Sequence, residues 1–118
     1  MVRNTKHVGD LGERIAEAYL ELKGYQILRR NLRCAGREID LLVRRGSRLV
    51  AVEVKLRRTR RYGRAIEAID QRKLARIRVA LQGVLAGIKE PMRPQIDVVL
   101  IDLEQSHHMV VRHIEAVY

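Results

Sequence analysis

The stretch from Arg37 to Leu56 constrains this chain more than any other. Apolar and polar residues alternate with period two over residues 37–44 and again over residues 48–56, the pattern of two half-buried strands. Between them stands Arg45-Gly46-Ser47-Arg48. Gly at the first central position and Ser at the second predict a two-residue type II′ turn. Such a turn sets Arg45 opposite Arg48, and the register counts outward from there. Val43 then faces Val50, Leu41 faces Val52 and Ile39 faces Val54, so one face of the hairpin is continuously aliphatic and has to be buried. The other face carries Leu42 and Ala51 near the turn, then Asp40 opposite Glu53 and Glu38 opposite Lys55.

The opposition of Asp40 and Glu53 needs a cause. Directly opposed side chains have β-carbons about 4.5–5.5 Å apart, and like charges there destabilise a sheet. A divalent cation between the two carboxylates removes the repulsion. Mg²⁺ suits the arrangement, because it takes one or two carboxylates and keeps positions for water and phosphate. Lys55 lies two residues beyond Glu53 and points to the same face, where an ammonium can orient a water or stabilise charge on a phosphate. A solvated strand face with an ordinary Glu38–Lys55 ion pair is the plainer reading. It accounts for that pair and leaves Asp40 beside Glu53 unexplained.

The rest of the chain frames the hairpin. A helix is predicted over residues 7–23, with Gly24 as its stop and Leu11, Ile15, Ala18, Tyr19 and Leu22 as its apolar arc. Residues 25–30 read as a short first strand. A second helix is predicted over residues 65–85, before the Gly87/Pro91/Pro94 loop. Residues 95–101 read as the most apolar, central strand and residues 109–114 as the last. The order is α-β-β-β-α-β-β, and the long helix before the fourth strand implies a right-handed crossover and a parallel pair. The expected fold is one α/β domain over residues 1–118, a mixed sheet with helices packed on it. With no Trp, no Phe and four Tyr, its core has to be aliphatic. Cys34 is the single cysteine, which excludes an intramolecular disulfide framework and a multi-cysteine zinc site and fits a reducing cytoplasm. No stretch reads as a signal peptide or membrane span, so the expectation is a cytoplasmic protein with no membrane partner.

Lys plus Arg total 24 against 14 Asp plus Glu, a formal net charge of +10 that favours a polyanionic partner. Residues 56–64 hold Arg57, Arg58, Arg60, Arg61 and Arg64 with no acid, and Arg29, Arg30, Arg33 and Arg37 form a second basic stretch. Guanidinium forks grip phosphates, so nucleic acid is the expected partner. The alternative is a solvated surface on an arginine-rich chain, which fits scattered residues such as Arg112 better than the run. No aromatic platform for stacking bases, helix-turn-helix or zinc-finger pattern is visible. In the first helix, Glu13 either points toward the sheet or is a helix-start carboxylate favoured by the macrodipole. Lys73 falls within a stripe of Ile66, Ile69, Ile77, Ala80 and Val84. Its amine snorkels to solvent, pairs with Asp70, or aims at the site of Lys55. His107 and His108 read as solvent groups, and His113 as a packed or hydrogen-bonded residue.

An ordered set of residues spans nearly the whole chain: Gly12-Glu13 with Ala16 and Tyr19-Leu20, Gly24-Tyr25-Gln26-Ile27-Leu28, Arg30-Asn31, Glu38-Ile39-Asp40-Leu41-Leu42, Val52-Glu53-Val54-Lys55, then Gly63, Ala65, Ala68, Lys73, Ile96-Asp97-Val98-Val99 and His113-Ile114. The set resembles the YraN-type family of small bacterial proteins. That family is similar to the restriction-endonuclease-like superfamily, which includes archaeal Holliday-junction resolvases. The resemblance implies a restriction-endonuclease-like fold with an α-β-β-β-α-β core, and a metal-dependent nuclease acting on DNA, branched DNA included. It implies that Asp40 and Glu53 bind Mg²⁺ or Mn²⁺ and that Lys55 helps activate the attacking water. Glu13 would be the first-helix acid, Glu38 a further ligand or the partner of Lys55, and Lys73 an auxiliary phosphate or site contact. The alternative is a non-catalytic nucleic-acid-binding protein using the same basic surface. A resolvase-like role implies a symmetric homodimer, since two strands must be cut. One departure stands out: Arg37 intervenes between Gly36 and Glu38, where the family reads Gly-Glu-Ile-Asp.

Overall fold

The computed structural model describes residues 5–58, 69–104 and 108–118. The elements are α1 (Thr5–Leu22), β1 (Gln26–Cys34), β2 (Arg37–Arg45), β3 (Arg48–Arg58), α2 (Gln71–Ala86), β4 (Arg93–Leu103) and β5 (Met109–Ile114). This is the α-β-β-β-α-β-β order that the sequence predicts. The strands form one mixed sheet in the order β1-β2-β3-β4-β5. β3 and β4 are parallel, and all other neighbours are antiparallel. The central strand is therefore β3 rather than β4. β4 is nonetheless interior and buried throughout residues 96–102, as expected of a strand covered on both faces.

Local chemistry sets the turns. Arg45 pairs with Arg48, and Gly46 has φ 60 while Ser47 stays on the ordinary negative side, as a type II′ turn requires. A second tight hairpin was not expected: β1 runs on to Cys34, which pairs with Arg37. Its two turn residues, Ala35 and Gly36, have φ 54 and 73, the type I′ pattern. Ala lacks the Asn or Asp side chain that usually signals such a turn, so the pattern in residues 34–37 is weak.

α1 ends in a Schellman motif: the Tyr25 N–H donates to the Leu20 carbonyl and the Gly24 N–H to that of Glu21, with Gly24 at φ 92. The helix packs on one sheet face through Ala16 and Leu20, against Leu41, Val43, Val50, Val52, Val99 and Ile101. The expected arc is corrected here. Leu11, Ala18 and Leu22 face solvent, Leu22 being 90% exposed, while Gly12, Ala16 and Leu20 are buried. Small residues win the inner positions because the helix lies close to β3: a β-carbon on Gly12 would stand 3.3 Å from Leu56 Cβ.

α2 begins later than expected. Asp70 caps it, its carboxylate accepting the backbone N–H groups of Arg72 and Lys73, so the helix starts at Gln71 and Ile69 lies before it. Residues 65–68, part of the expected helix, lie outside the described residues. Leu74, Ile77, Ala80 and Leu81 pack on the opposite sheet face against Ile39, Leu42, Leu49, Ala51 and Ile96. Ile39 is a second correction, since it joins the α2 face while Leu41 and Val43 join the α1 face. The expected continuous aliphatic face breaks at residue 40.

Ala35 in the left-handed region costs about 1–2 kcal/mol relative to a residue at home there. Ala35→Asn places Asn-Gly in the type I′ turn. It should stabilise the protein by about 1 kcal/mol and raise the thermal midpoint by several degrees. A calorimetric melt of parent and variant at matched pH checks this; an unchanged or lower midpoint would contradict the turn assignment.

Candidate functional site

The break at residue 40 builds the site. The β2–β3 ladder is regular from Arg45/Arg48 to Leu41/Val52 and records no pair beyond. Alternation makes Ile39/Val54 the next hydrogen-bonded pair. There the Val54 N–H donates instead to Asp40 Oδ2, at 2.9 Å. The Asp40 side chain thus takes the place of the Ile39 carbonyl, and the strands part around it. From this gap Asp40 acts on both sheet faces. It raises the pKa of the Glu53 carboxyl on the α2 side and that of Glu13 on the α1 side.

Glu53, Lys55 and Lys73 line a cleft of about 400 Å³ between β3 and α2, walled by Ile69, Asp70, Leu74, Ile77 and Val98. The Glu53 side chain is 12% exposed, and Lys73 Nζ stands 2.6 Å from its Oε2. Burial, then Asp40, pushes the Glu53 carboxyl up to about 8, although Lys73 pulls the other way. For Lys73, burial opposes the charge, but Glu53, then Asp40 and Glu38, outweigh it and raise its pKa. The pair is unevenly matched, and Glu53 bears the larger penalty. It is the more buried partner and feels a second carboxylate that one ammonium does not neutralise. The cleft therefore needs another positive charge, either a proton or a cation. Asp40 and Glu53 are the residues placed to hold a divalent ion there.

The other expected site residues distribute as follows. Lys55 is exposed at the cleft wall, on the same strand face as Glu53. Lys73 reaches Glu53 rather than Asp70, whose carboxylate is engaged as the cap. Glu38 does not pair with Lys55: the ladder that would oppose them has ended, and Glu38 lies exposed, 3.9 Å from Arg33 on β1. Glu13 lies in a groove of about 520 Å³ at α1, with Asp10, Arg14, Glu17, Glu21, Arg30 and Asn31. This groove is larger than the cleft, but its Glu17 and Arg30 neutralise each other. Burial, then Asp40, raises the Glu13 pKa. Glu13 does not close with Asp40 and Glu53 into a three-carboxylate cluster. Arg57 is drawn away from the expected phosphate-binding role, because Asp102, fully buried beside it, takes its Nε and Nη2 at 2.8 and 3.2 Å. Arg58 is exposed. Arg60, Arg61, Arg64 and His107 lie outside the described residues.

Sequence reasoning missed one polar cluster. Asp97, fully buried in β4, accepts from Gln95 Nε2 and the Ala116 N–H through Oδ1, and its Oδ2 stands 2.7 Å from His113 Nε2. Lys23 Nζ lies 2.8 Å from His113 Nδ1. An ammonium only donates, so Nδ1 accepts and Nε2 carries the proton toward Asp97. Tyr19 and Tyr25 close edge-on over the ring, 6.0 and 5.9 Å away. Asp97, His113 and Glu115 offer ligand atoms within 4.8 Å of one another. The ammonium on the ring and the saturated Asp97 oxygens make the trio a satisfied hydrogen-bond network rather than a metal centre. Burial opposes the Asp97 charge, but His113, the Ala116 N–H and Gln95 outweigh it and lower its pKa. The signal was present in the sequence: an Asp inside the apolar run of residues 96–101 has to be paired.

Comparison with known proteins places this geometry in a lineage. A family model described as "Uncharacterised protein family UPF0102" matches residues 12–101, which include Glu13, Glu38, Asp40, Glu53, Lys55 and Lys73. The chain is similar to a UPF0102 protein of Kineococcus radiotolerans, with 40% identity over 98% of this chain and 97% of the relative. A UPF0102 protein of Symbiobacterium thermophilum is 42% identical over 83% and 84% of the two chains. One of Roseiflexus castenholzii is 37% identical over 97% and 94%.

The raised Glu53 carboxyl makes a prediction about stability. Between the ordinary 4.5 and about 8, the folded protein holds a proton that the unfolded chain has released. Its contribution is therefore greatest below 4.5 and declines as pH rises to 8, with a slope approaching about 1.4 kcal/mol per pH unit. Glu53→Gln removes the titration. In a chelator, denaturant melts should show Glu53→Gln more stable than the parent at pH 8.5, with the difference shrinking toward pH 5. Parallel pH profiles would refute the assignment.

Proposed function

The chain belongs to the UPF0102 family, the YraN-type family its sequence resembles, and from that premise we propose that it is a metal-dependent nuclease hydrolysing phosphodiester bonds in DNA. The observation that carries the reading is the half-buried Asp40/Glu53 pair at the parting of β2 and β3, of which Glu53 lines a cleft together with Lys55. Two adjacent carboxylates and an open approach are the donor set of a Mg²⁺ or Mn²⁺ site that keeps positions for water and phosphate. The ion would supply Lewis-acid activation of the phosphate and a bound water of lowered pKa.

The chain's own residues supply the rest. Asp40 is held by the Val54 N–H, so its second oxygen is oriented before any ion arrives. Lys55 stands at the cleft wall, on the Glu53 side of β3, where its ammonium meets an incoming phosphate or positions the attacking water. Glu13, in the groove on the α1 side, adds a third acid that feels the charge of Asp40. Arg58 and the sequence-adjacent Arg60, Arg61 and Arg64 would hold the backbone, giving salt-dependent affinity with little base preference. Two active sites in a symmetric dimer would suit a four-way junction.

The test is cleavage of end-labelled single-stranded, duplex, flap and four-way-junction DNA at low salt, with Mg²⁺ or Mn²⁺. The parent protein should cut at least one substrate. Asp40→Asn and Glu53→Ala should each reduce the rate by at least about a hundredfold. Lys55→Ala should lose cleavage while retaining Mn²⁺ binding. Tight, salt-sensitive DNA binding without cleavage under any of these conditions would replace the nuclease with a non-catalytic binding protein.

A further inference from the structure

Among the described residues Lys73 is the one cation paired with Glu53 of the proposed metal pair, and its placement is specific. It is the third residue of α2, and its backbone N–H is held by the Asp70 cap at 3.4 Å. The start of the helix is thereby fixed, while the side chain stays 53% exposed. Its ammonium reaches 2.6 Å from Glu53 Oε2, and Asp40 and Glu38 add to the field on it. It occupies a carboxylate that would help to hold a divalent ion. A lysine stem is long and mobile, and one wall of the cleft is Ile69 and Asp70, beside its own base.

We propose that Lys73 is a tethered counter-ion that holds the Asp40/Glu53 site in the absence of metal, is displaced from Glu53 when a divalent cation binds, and then offers its ammonium to a phosphate of the substrate. The proposal rests on the metal-centre reading above and adds its regulation. With the lysine on Glu53, the two half-buried carboxyl groups are partly compensated and metal binding is weakened by competition. With the metal in place, Lys73 loses its partner and stands free at the mouth of the cleft. Metal and phosphate thus strengthen each other's binding, because each makes room or charge for the other. On this account Lys73 binds a substrate phosphate, while Asp40 and Glu53 hold the ion and Lys55 attends the attacking water.

Two measurements on the full-length protein test this without relying on activity. The first is Mn²⁺ binding, read as free Mn²⁺ by electron paramagnetic resonance. Lys73→Met keeps the stem and removes the charge, and it should tighten Mn²⁺ binding about tenfold, whereas Lys73→Arg should stay within about threefold of the parent. The second is amine labelling of the parent, followed residue by residue by mass spectrometry. Adding Mg²⁺ should accelerate labelling of Lys73 about tenfold and leave the exposed Lys89 unchanged. Tighter Mn²⁺ binding in Lys73→Met together with metal-accelerated labelling supports the proposal. Equal Mn²⁺ affinities, or a labelling rate indifferent to Mg²⁺, overturns it and leaves the metal centre standing. Absence of Mn²⁺ binding in parent and variants alike overturns both readings. Far-ultraviolet circular dichroism confirms that the variants compared are folded.

Discussion

The opening of the β2–β3 ladder at Asp40 is the feature on which the site depends. A two-strand ribbon that lost its ladder over residues 38–40 and 53–55 would fray. Here each strand keeps its other neighbour. β3 remains paired with β4 from Arg48 to Arg58, and β2 remains paired with β1 out to Arg37. The gap is therefore held open from both sides, and the carboxylate of Asp40 fills the hydrogen-bonding role vacated by a backbone carbonyl. A charge-assisted bond to the Val54 N–H offsets part of the lost ladder. The same substitution turns Ile39 to the α2 face, so one backbone irregularity both places the acid and reassigns a core residue.

The electrostatics of the cleft follow from that geometry. Asp40 has nowhere to withdraw, because its oxygen is committed to Val54, and Glu53 beside it is nearly covered. One lysine reaches them, from a helix whose start is fixed by its own cap. The arrangement is poor for stability, and the proposed cation would relieve it. By contrast, the Asp97–His113–Lys23 network matches donors and acceptors without remainder. Two buried polar clusters in one small domain thus show opposite behaviour. A network meant only to hold the fold closes its hydrogen-bonding account internally, whereas the site at Asp40 leaves a charge to be supplied.

What was legible in the sequence was short-range. The Gly46-Ser47 turn, the register from Arg45/Arg48 to Leu41/Val52 and the element order all rest on period and turn chemistry within a few residues. The proximity of Asp40 and Glu53 was legible too, although they meet across a gap rather than within a ladder. What escaped depends on contacts distant in the chain. The Ala35-Gly36 turn carries a weak residue signal. The inner face of α1 was misread because its close approach to Leu56 selects Gly12 and Ala16 over larger side chains. Arg57 looked available for phosphate until Asp102, far along the chain, was placed beside it in the parallel register. Lys73 stood out as a misfit in an apolar stripe, and its partner Glu53 emerges only when α2 lies over β3.

The distribution of charge completes the argument. The chain carries a formal +10, yet Asp40 and Glu53 set two carboxyl groups side by side at the β3 edge of the cleft. A polyanion drawn by the overall field meets carboxylates at the point where the proposed chemistry occurs. No phosphate settles against Asp40 and Glu53 while their charge is uncompensated, and an ammonium bound to Glu53 compensates only part of it. A divalent ion reverses the sign of the local field and, on the proposed mechanism, releases Lys73 to the phosphate at the same moment. Under that proposal the basic exterior would govern encounter and the carboxyl pair commitment, so that nucleic acid would be held without metal but engaged at the site only with it.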